Sequence, residues 1–290
     1  MYDQRQRFFI ADTPVRGEVV HLDHALRTIL AQRDYPDAIA LLLGEMLTAV
    51  SLLASTLKIE GRLTIQAQGS GPLKWAMAEC HLPGQLRALA EWEEGTEFAP
   101  ATNSEVALTA LQGGVLFITI EPEKGERYQG IVPMDQPTLA ACLTQYYDLS
   151  AQIPSHLTLA CTRERSAGLL MQLLPRQEDE KATIDDDLWP RLTTLADTLT
   201  AEELLNLPAT EILYRLYHEE TVRLADAEPL HFGCTCSQQR CEAALQQIGA
   251  DAVRELLEEE DEIRMDCQFC HAQYRFGPEA ALALFGLHMS

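Results

Sequence analysis

Four of the eight cysteines in this chain arrive as two close pairs: Cys234-Thr235-Cys236, then thirty residues, then Cys267-Gln268-Phe269-Cys270. Where thiols are kept reduced, such pairs hold zinc, because four thiolates form the tetrahedral shell that suits a d10 cation. The surrounding module, from about His231 to Gly277, has few large apolar side chains. A segment that small cannot close a self-sufficient core. Structural zinc contributes on the order of 10–16 kcal/mol of apparent binding energy in small metal-folded peptides. The module's folding is therefore expected to depend on its metal. An inert clip and a switch both fit this pattern. Oxidising the thiolates would remove the ligands and unfold the module, and thiolate is the form of sulfur that attacks peroxides. Each pair is also close enough in sequence to close on itself, and a Cys234–Cys236 bridge would be of the strained, labile kind.

The remaining sulfur and histidine motifs add less. Cys241 lies near the first pair, but four better-placed sulfurs already complete a shell, so it is read as a bystander. Cys80, Cys142 and Cys161 fall within core elements and read as small buried hydrophobes. Cys267 to His271 spells the C-x-x-C-H haem-attachment pattern. That chemistry normally follows export, and it would leave Cys234 and Cys236 without a role. His271 competes as a zinc donor and ranks behind the four-sulfur shell. His218-Glu219-Glu220 lacks the second histidine of a zinc-protease helix. No Ser-His-Asp or paired-carboxylate arrangement stands out, so no enzyme activity is expected.

The 290 residues carry a net charge of −22, which opposes binding to a phosphate backbone. No apolar run of signal-peptide length follows Met1–Arg7. The longest apolar region, Ala38 to Ala54, is interrupted by Gly44 and Glu45 and reads as too short and broken for a membrane span. These features predict a cytoplasmic protein, without nucleic-acid or membrane partners, whose cysteines are metal ligands or redox groups.

Along the chain, residues 7–22 read as two strands around a turn at Asp12-Thr13-Pro14, followed by a helix capped by Asp23. Pro36 opens a helix whose Ile39, Leu42, Leu43, Met46, Leu47, Val50 and Leu53 recur at helical spacing, so it is expected in the core. Strands follow at 62–68, 73–80, 115–120, 127–132, 157–162 and 168–174, with a helix started by Pro137. Short turns between neighbours predict a mainly antiparallel sheet, and the helices sit in separate blocks, so the fold class is α+β. From Gln177 to Asp187 the composition turns acidic and reads as a solvated connector. Helices are expected at 188–199, 201–205 and 208–218, lying on the core without strong anchorage. In the module, helices are expected at 238–248 and 251–257, an acidic loop at 258–262, short strands at 262–266 and 273–276, and a last helix from Pro278. The expected division is an α+β core at 1–177, a metastable helical linker at 178–232 and a C-terminal zinc-binding redox-switch domain at 233–290.

Phe232-Gly233-Cys234-Thr235-Cys236-Ser237 with Cys267-Gln268-Phe269-Cys270 resembles the zinc-binding tail of the 33 kilodalton chaperonin family, the redox-regulated heat-shock holdases of bacteria. The likeness runs in order along essentially the full chain. It includes Val15-Arg16-Gly17-Glu18, Gln68-Gly69-Ser70-Gly71-Pro72, Glu126-Arg127-Tyr128-Gln129-Gly130-Ile131-Val132 and Arg215-Leu216-Tyr217-His218-Glu219-Glu220. The resemblance implies a reduced, largely inactive monomer holding one Zn2+ on Cys234, Cys236, Cys267 and Cys270. On oxidation it implies Cys234–Cys236 and Cys267–Cys270 disulfides, zinc release, a loosened linker, homodimerisation and ATP-independent binding of unfolding clients. Clients would later pass to ATP-dependent refolding chaperones. Leu213, Leu216 and Tyr217 of the linker, with the core surface beneath them, are the expected client site. Two other readings compete: a zinc-dependent nucleic-acid-binding protein, which the charge opposes, and a thiol oxidoreductase using Cys267 and Cys270, which would need a βαβ context.

Overall fold

The computed structural model describes residues 3–57, 60–175 and 187–287. Most of the acidic connector (177–186), and with it the expected core–linker boundary, lies outside them. The chain forms two compact units, one ending at Phe232 and one starting at Gly233. The fold is mixed α+β with mainly antiparallel sheets.

The first unit begins with a hairpin, β1 (Gln4–Ile10) and β2 (Val15–Leu22). Helix α1 (His24–Leu30) follows, but Asp23 does not cap it through its side chain. Asp3 Oδ1 does that work, accepting from the backbone N–H groups of Asp23 at 2.8 Å and Ala25 at 3.0 Å. This leaves the Asp23 carboxylate to pair with Arg27. Helix α2 (Asp37–Ser55) has Pro36 at its N-cap position, and every residue from Ala38 to Ser55 is buried. By length and composition α2 is the one helix among the described residues apolar enough to cross a membrane, despite Gly44 and Glu45. Burial explains it instead, since 94% of that window lies inside the fold.

Strands β3 (Gly61–Gln68), β4 (Leu73–His81) and β5 (Gln85–Trp92) run as a meander. After the short helix α3 (Glu105–Thr109) come β6 (Val115–Pro122) and β7 (Tyr128–Pro133). Helix α4 (Leu139–Tyr146) starts two residues later than Pro137 suggested. Thr138 is its N-cap, with its hydroxyl accepting from Ala141 N–H at 3.2 Å. A π-helical turn, Tyr147–Ala151, extends it. The hairpin β8 (Ser155–Cys161) and β9 (Ser166–Leu173) precedes three helices, α5 (Leu188–Ala196), α6 (Ala201–Asn206) and α7 (Ala209–Tyr217). Three short strands end the unit: β10 (Val222–Leu224), β11 (Glu228–Pro229) and β12 (His231–Phe232).

The strands build two six-stranded sheets rather than one. The first runs β10-β1-β2-β9-β8, with β11 also on β1; the second runs β12-β5-β4-β3-β6-β7. Among the described residues only the β12–β5 pairing is parallel. Helix α2 packs on both sheets, sharing one apolar cluster with Val20, Leu22 and Leu170 of the first and Leu63, Ile65 and Ala78 of the second. Close approach to β9 requires Gly168, where a Cβ would meet Thr48 Cγ2 at 2.7 Å and Leu52 Cδ1 at 2.8 Å. The opposite face of the first sheet presents Phe8, Val19, Leu169 and Met171 to Leu192, Leu204, Ile212, Leu213 and Tyr217 of α5–α7. Central strand β2 is therefore covered on both faces, which explains why alternation fails in Val15–Leu22. Glu45 is a carboxyl inside α2, accepting a hydrogen bond from Ser104 Oγ at 2.6 Å. Burial pushes it up to about 7, against the pull of the Ser104 bonds.

The last stretch of the unit is a strap laced along two sheet edges. Ala225 N–H donates to Arg7 O, Leu230 N–H to Asp3 O and His231 N–H to Gly84 O, at 2.8–3.0 Å. Glu228 accepts from Arg5 Nε at 2.6 Å, and the Arg5 side chain is only 6% exposed.

The second unit contains α8 (Gln238–Ile248), α9 (Ala250–Glu259), a two-stranded hairpin of β13 (Ile263–Asp266) and β14 (Gln273–Phe276), and α10 (Pro278–Ala283). Glu258 and Glu259 complete α9 instead of opening the acidic loop. The buried residues are Leu245, Val253, Ile263, Phe276 and Ala281, and Cys241 packs partly buried against them. Five side chains, one of them alanine, make a small core for a unit of this length.

Candidate metal centre

Local chain geometry sets the two cysteine pairs. Cys234 and Cys236 lie just before α8, whose N-cap Ser237 accepts from Arg240 N–H at 3.3 Å. The positive end of that helix favours anionic sulfur nearby. Cys267 and Cys270 occupy the β13–β14 turn, closed by Cys267 N–H to Ala272 O at 2.9 Å and His271 N–H to Cys267 O at 2.8 Å. His271 adopts φ 56°, the left-handed conformation that lets so tight a turn return to β14.

Folding brings the pairs together. All four Sγ atoms lie within 4.8 Å of one another, with Cys234 to Cys267 at 3.5 Å and Cys236 to Cys270 at 3.4 Å. A tetrahedral thiolate shell with metal–sulfur bonds of about 2.3 Å has sulfurs about 3.8 Å apart, so the donor set fits a metal ion such as zinc. His271 and Cys241 are not members of the cluster.

The electrostatics of the bare thiols argue the same way. Burial pushes the Cys234 thiol up, but hydrogen bonds from the Cys236 backbone N–H and from neighbouring thiols outweigh it and bring it down to about 7. Cys270 goes the other way: burial and then the sulfurs of Cys236, Cys267 and Cys234 push it up to about 12. Burial also raises Cys267, which accepts from the Phe269 and Cys270 backbone N–H groups. One sulfur ionises readily and the last resists, as expected of like charges crowded together without a cation. Tyr274 on β14 donates from its hydroxyl to Cys236 Sγ at 3.1 Å, and that bond is the main reason its own proton is held more tightly than usual. The sequence reading missed this contact, which spans 38 residues.

Other residues singled out from sequence lie elsewhere. Cys80 and Cys142 are fully buried and Cys161 is 8% exposed. Burial raises all three thiols, Cys80 to about 11. Leu213, Leu216 and Tyr217 are buried beneath the surface of the first unit.

A family model, "Hsp33 protein", matches residues 3–277. The chain belongs to the Hsp33 family. Among similar Hsp33 proteins is a 33 kDa chaperonin of Pseudomonas aeruginosa (strain LESB58), 46% identical over 284 residues, spanning 98% of this chain and 94% of that protein. Another, from Shewanella sp. (strain ANA-3), is 40% identical over 275 residues, spanning 94% of this chain and 92% of that protein. The crystal structure of the Hsp33 homologue of Thermotoga maritima superposes with a TM-score of 0.82 at 18% identity, covering 98% of both chains. At that identity the superposition speaks for the fold.

Proposed function

We propose that this Hsp33 family member is a redox-regulated, ATP-independent holdase that binds unfolding proteins when its four clustered cysteines are oxidised. The observation that carries the reading is the cluster itself, on a unit whose apolar core is five residues. In the reduced state Cys234, Cys236, Cys267 and Cys270 hold one Zn2+. The metal supplies a cross-link among four thiolates that the small core does not provide.

Peroxide converts Cys234 with Cys236, and Cys267 with Cys270, into disulfides. Each pair of thiolates gives up two electrons, and one peroxide takes them up with two protons from water to become two waters. Disulfide sulfurs are no longer thiolate donors, so metal binding ends and the unit after Gly233 loosens. The helices between 188 and 217 then leave the first sheet, as a metastable linker of residues 178–232 on a core of residues 1–177. That departure uncovers Leu213, Leu216 and Tyr217 and the strand face they cover, an apolar surface suited to unfolded chains. The opened protein dimerises and keeps its clients until ATP-dependent chaperones refold them. The reduced cytoplasm is the compartment where such thiols stay poised. No catalytic step is required of any residue.

The test is zinc release and suppression of client aggregation followed together during peroxide treatment with mild heating. Suppression should appear as zinc leaves. Equal suppression by the reduced, metal-loaded protein would sink the switch. Tight nucleic-acid binding at low salt, or turnover in insulin reduction, would favour the two competing readings instead. The second has little structural support, because Cys267 and Cys270 sit in an antiparallel hairpin turn rather than a βαβ unit.

A further inference from the structure

The donors to the four sulfurs are not alike. Cys234 accepts from the Cys236 backbone N–H, Cys267 from those of Phe269 and Cys270, and Cys270 from that of Ala272. These donors are neighbours in sequence and come with the local turn, whatever the rest of the unit does. Cys236 is served by a side chain from the other half of the site: the Tyr274 hydroxyl, at 3.1 Å, on the strand that leaves the second cysteine pair. The Tyr274 ring is held in place. It stands opposite Met265 in the β13–β14 ladder and packs against the small core of the unit. The hydroxyl therefore reaches Cys236 from a fixed platform, and it ties the Cys234-Thr235-Cys236 segment to the hairpin carrying Cys267 and Cys270.

We infer that Tyr274 is a positioning residue of the metal centre, which aligns the Cys236 sulfur for a metal and shields the lone pair that an oxidant would attack. The inference rests on the reading of the four cysteines as a redox-sensitive metal centre. A hydrogen-bond partner outside the ligand shell fixes ligand orientation, and its loss typically costs 10–100-fold in metal affinity. Toward a peroxide, a thiolate sulfur attacks one oxygen, the O–O bond breaks and hydroxide leaves. The partner thiol then attacks the sulfenic sulfur, the S–O bond breaks, and the disulfide forms with release of water. A sulfur whose lone pair is engaged by O–H is a poorer nucleophile in the first of these steps. Tyr274 thus works in two directions, strengthening metal retention and slowing oxidation.

Tyr274→Phe in the full chain keeps the ring and removes only the hydroxyl. Competition with a chromophoric chelator should show zinc held about tenfold more weakly than in the wild type. Thiol titration should show faster consumption by hydrogen peroxide. In the Co2+-loaded variant the sulfur-to-metal charge-transfer band should move to lower energy, a signature that loss of packing alone would not produce. Far-UV circular dichroism of the zinc-loaded variant should match the wild type, because the ring still packs. Unchanged zinc affinity, peroxide rate and cobalt band in the variant would overturn the inference and leave the metal centre standing. A wild-type protein that takes up no zinc would bring down the metal centre and the inference together.

Discussion

The hydroxyl of Tyr217 lies 2.9 Å from the sulfur of Met171 and donates to the Leu192 carbonyl at 3.2 Å, so one side chain of α7 is joined to β9 and α5 at once. Its ring also stacks on Phe8, with centroids 6.4 Å apart. Tyr217→Phe keeps the stacking and forfeits the hydrogen bonds, a loss of about 1 kcal/mol. Native-state hydrogen exchange should speed about fivefold at amides of α5 and α7 and stay unchanged in β3–β6. Uniform exchange across both regions would show that the helical layer does not open separately.

Leu213 and Tyr217 belong both to the closed layer and to the proposed client surface. Leu213→Ala should loosen the layer in the reduced protein by about 2–4 kcal/mol. The double change Leu213→Ala with Tyr217→Ala should lower aggregation suppression severalfold after complete oxidation. Wild-type suppression by the fully oxidised double variant would move the client site elsewhere.

Glu45 makes stability depend on pH. Its folded-state carboxyl is raised to about 7 by burial against an ordinary value of 4.5. The protonated form is therefore the one the fold prefers. Its contribution is fully present below pH 4.5 and is lost as pH rises through about 7. Glu45→Gln keeps an acceptor for Ser104 and removes the ionisation. Chemical denaturation should find the variant about 2–3 kcal/mol more stable than wild type at pH 8 and nearly equal at pH 4.5. A constant difference across that range would mean Glu45 does not titrate as argued.

Metal removal should unfold the second unit and leave the sheets of the first in place. Chelator treatment of the reduced protein, or Cys267→Ser, should abolish amide protection in α8, α9 and α10 while β2 and β9 remain protected. Protection retained in α8 and α9 without metal would end the coupling between ligand shell and fold.

Glu228→Gln removes the carboxylate facing Arg5, whose Nη1 has no hydrogen-bond partner among the described residues and whose side chain is nearly inaccessible. Glu228 itself is 57% exposed, so solvent screening keeps the cost to about 1 kcal/mol. The readout is exchange at Leu230 and His231, whose amides pin the strap to Asp3 and Gly84. No change there would assign the anchoring to backbone bonds alone.

Much of the architecture was legible because its signals are local. The spacing of Cys234, Cys236, Cys267 and Cys270 pointed to a single cluster, and the apolar spacing in α2 pointed to a core helix. Contacts between distant segments were not legible. Asp3 replaces Asp23 as the cap of α1 because it lies 20 residues away on the adjoining chain. Strands β10 to β12 have two or three residues each and exist through pairings such as Pro229 with Gln4, so no alternation could announce them. β5 escaped because Leu86, Ala88, Leu89 and Ala90 are all buried and break the alternating pattern. The split into two sheets was hidden for a related reason: alternation shows that a segment is a strand, and says nothing of which strand pairs with it.

Helix α2 has a consequence for how the chain is made. Its apolar residues need β8 and β9 to cover one side, and those strands leave the ribosome roughly 110 residues after Ser55. At typical elongation rates that is an interval on the order of ten seconds. Throughout it, a nineteen-residue helix of membrane-like hydropathy stands half-clothed on the nascent chain. During its own synthesis, this protein is the kind of polypeptide that other chaperones exist to shield.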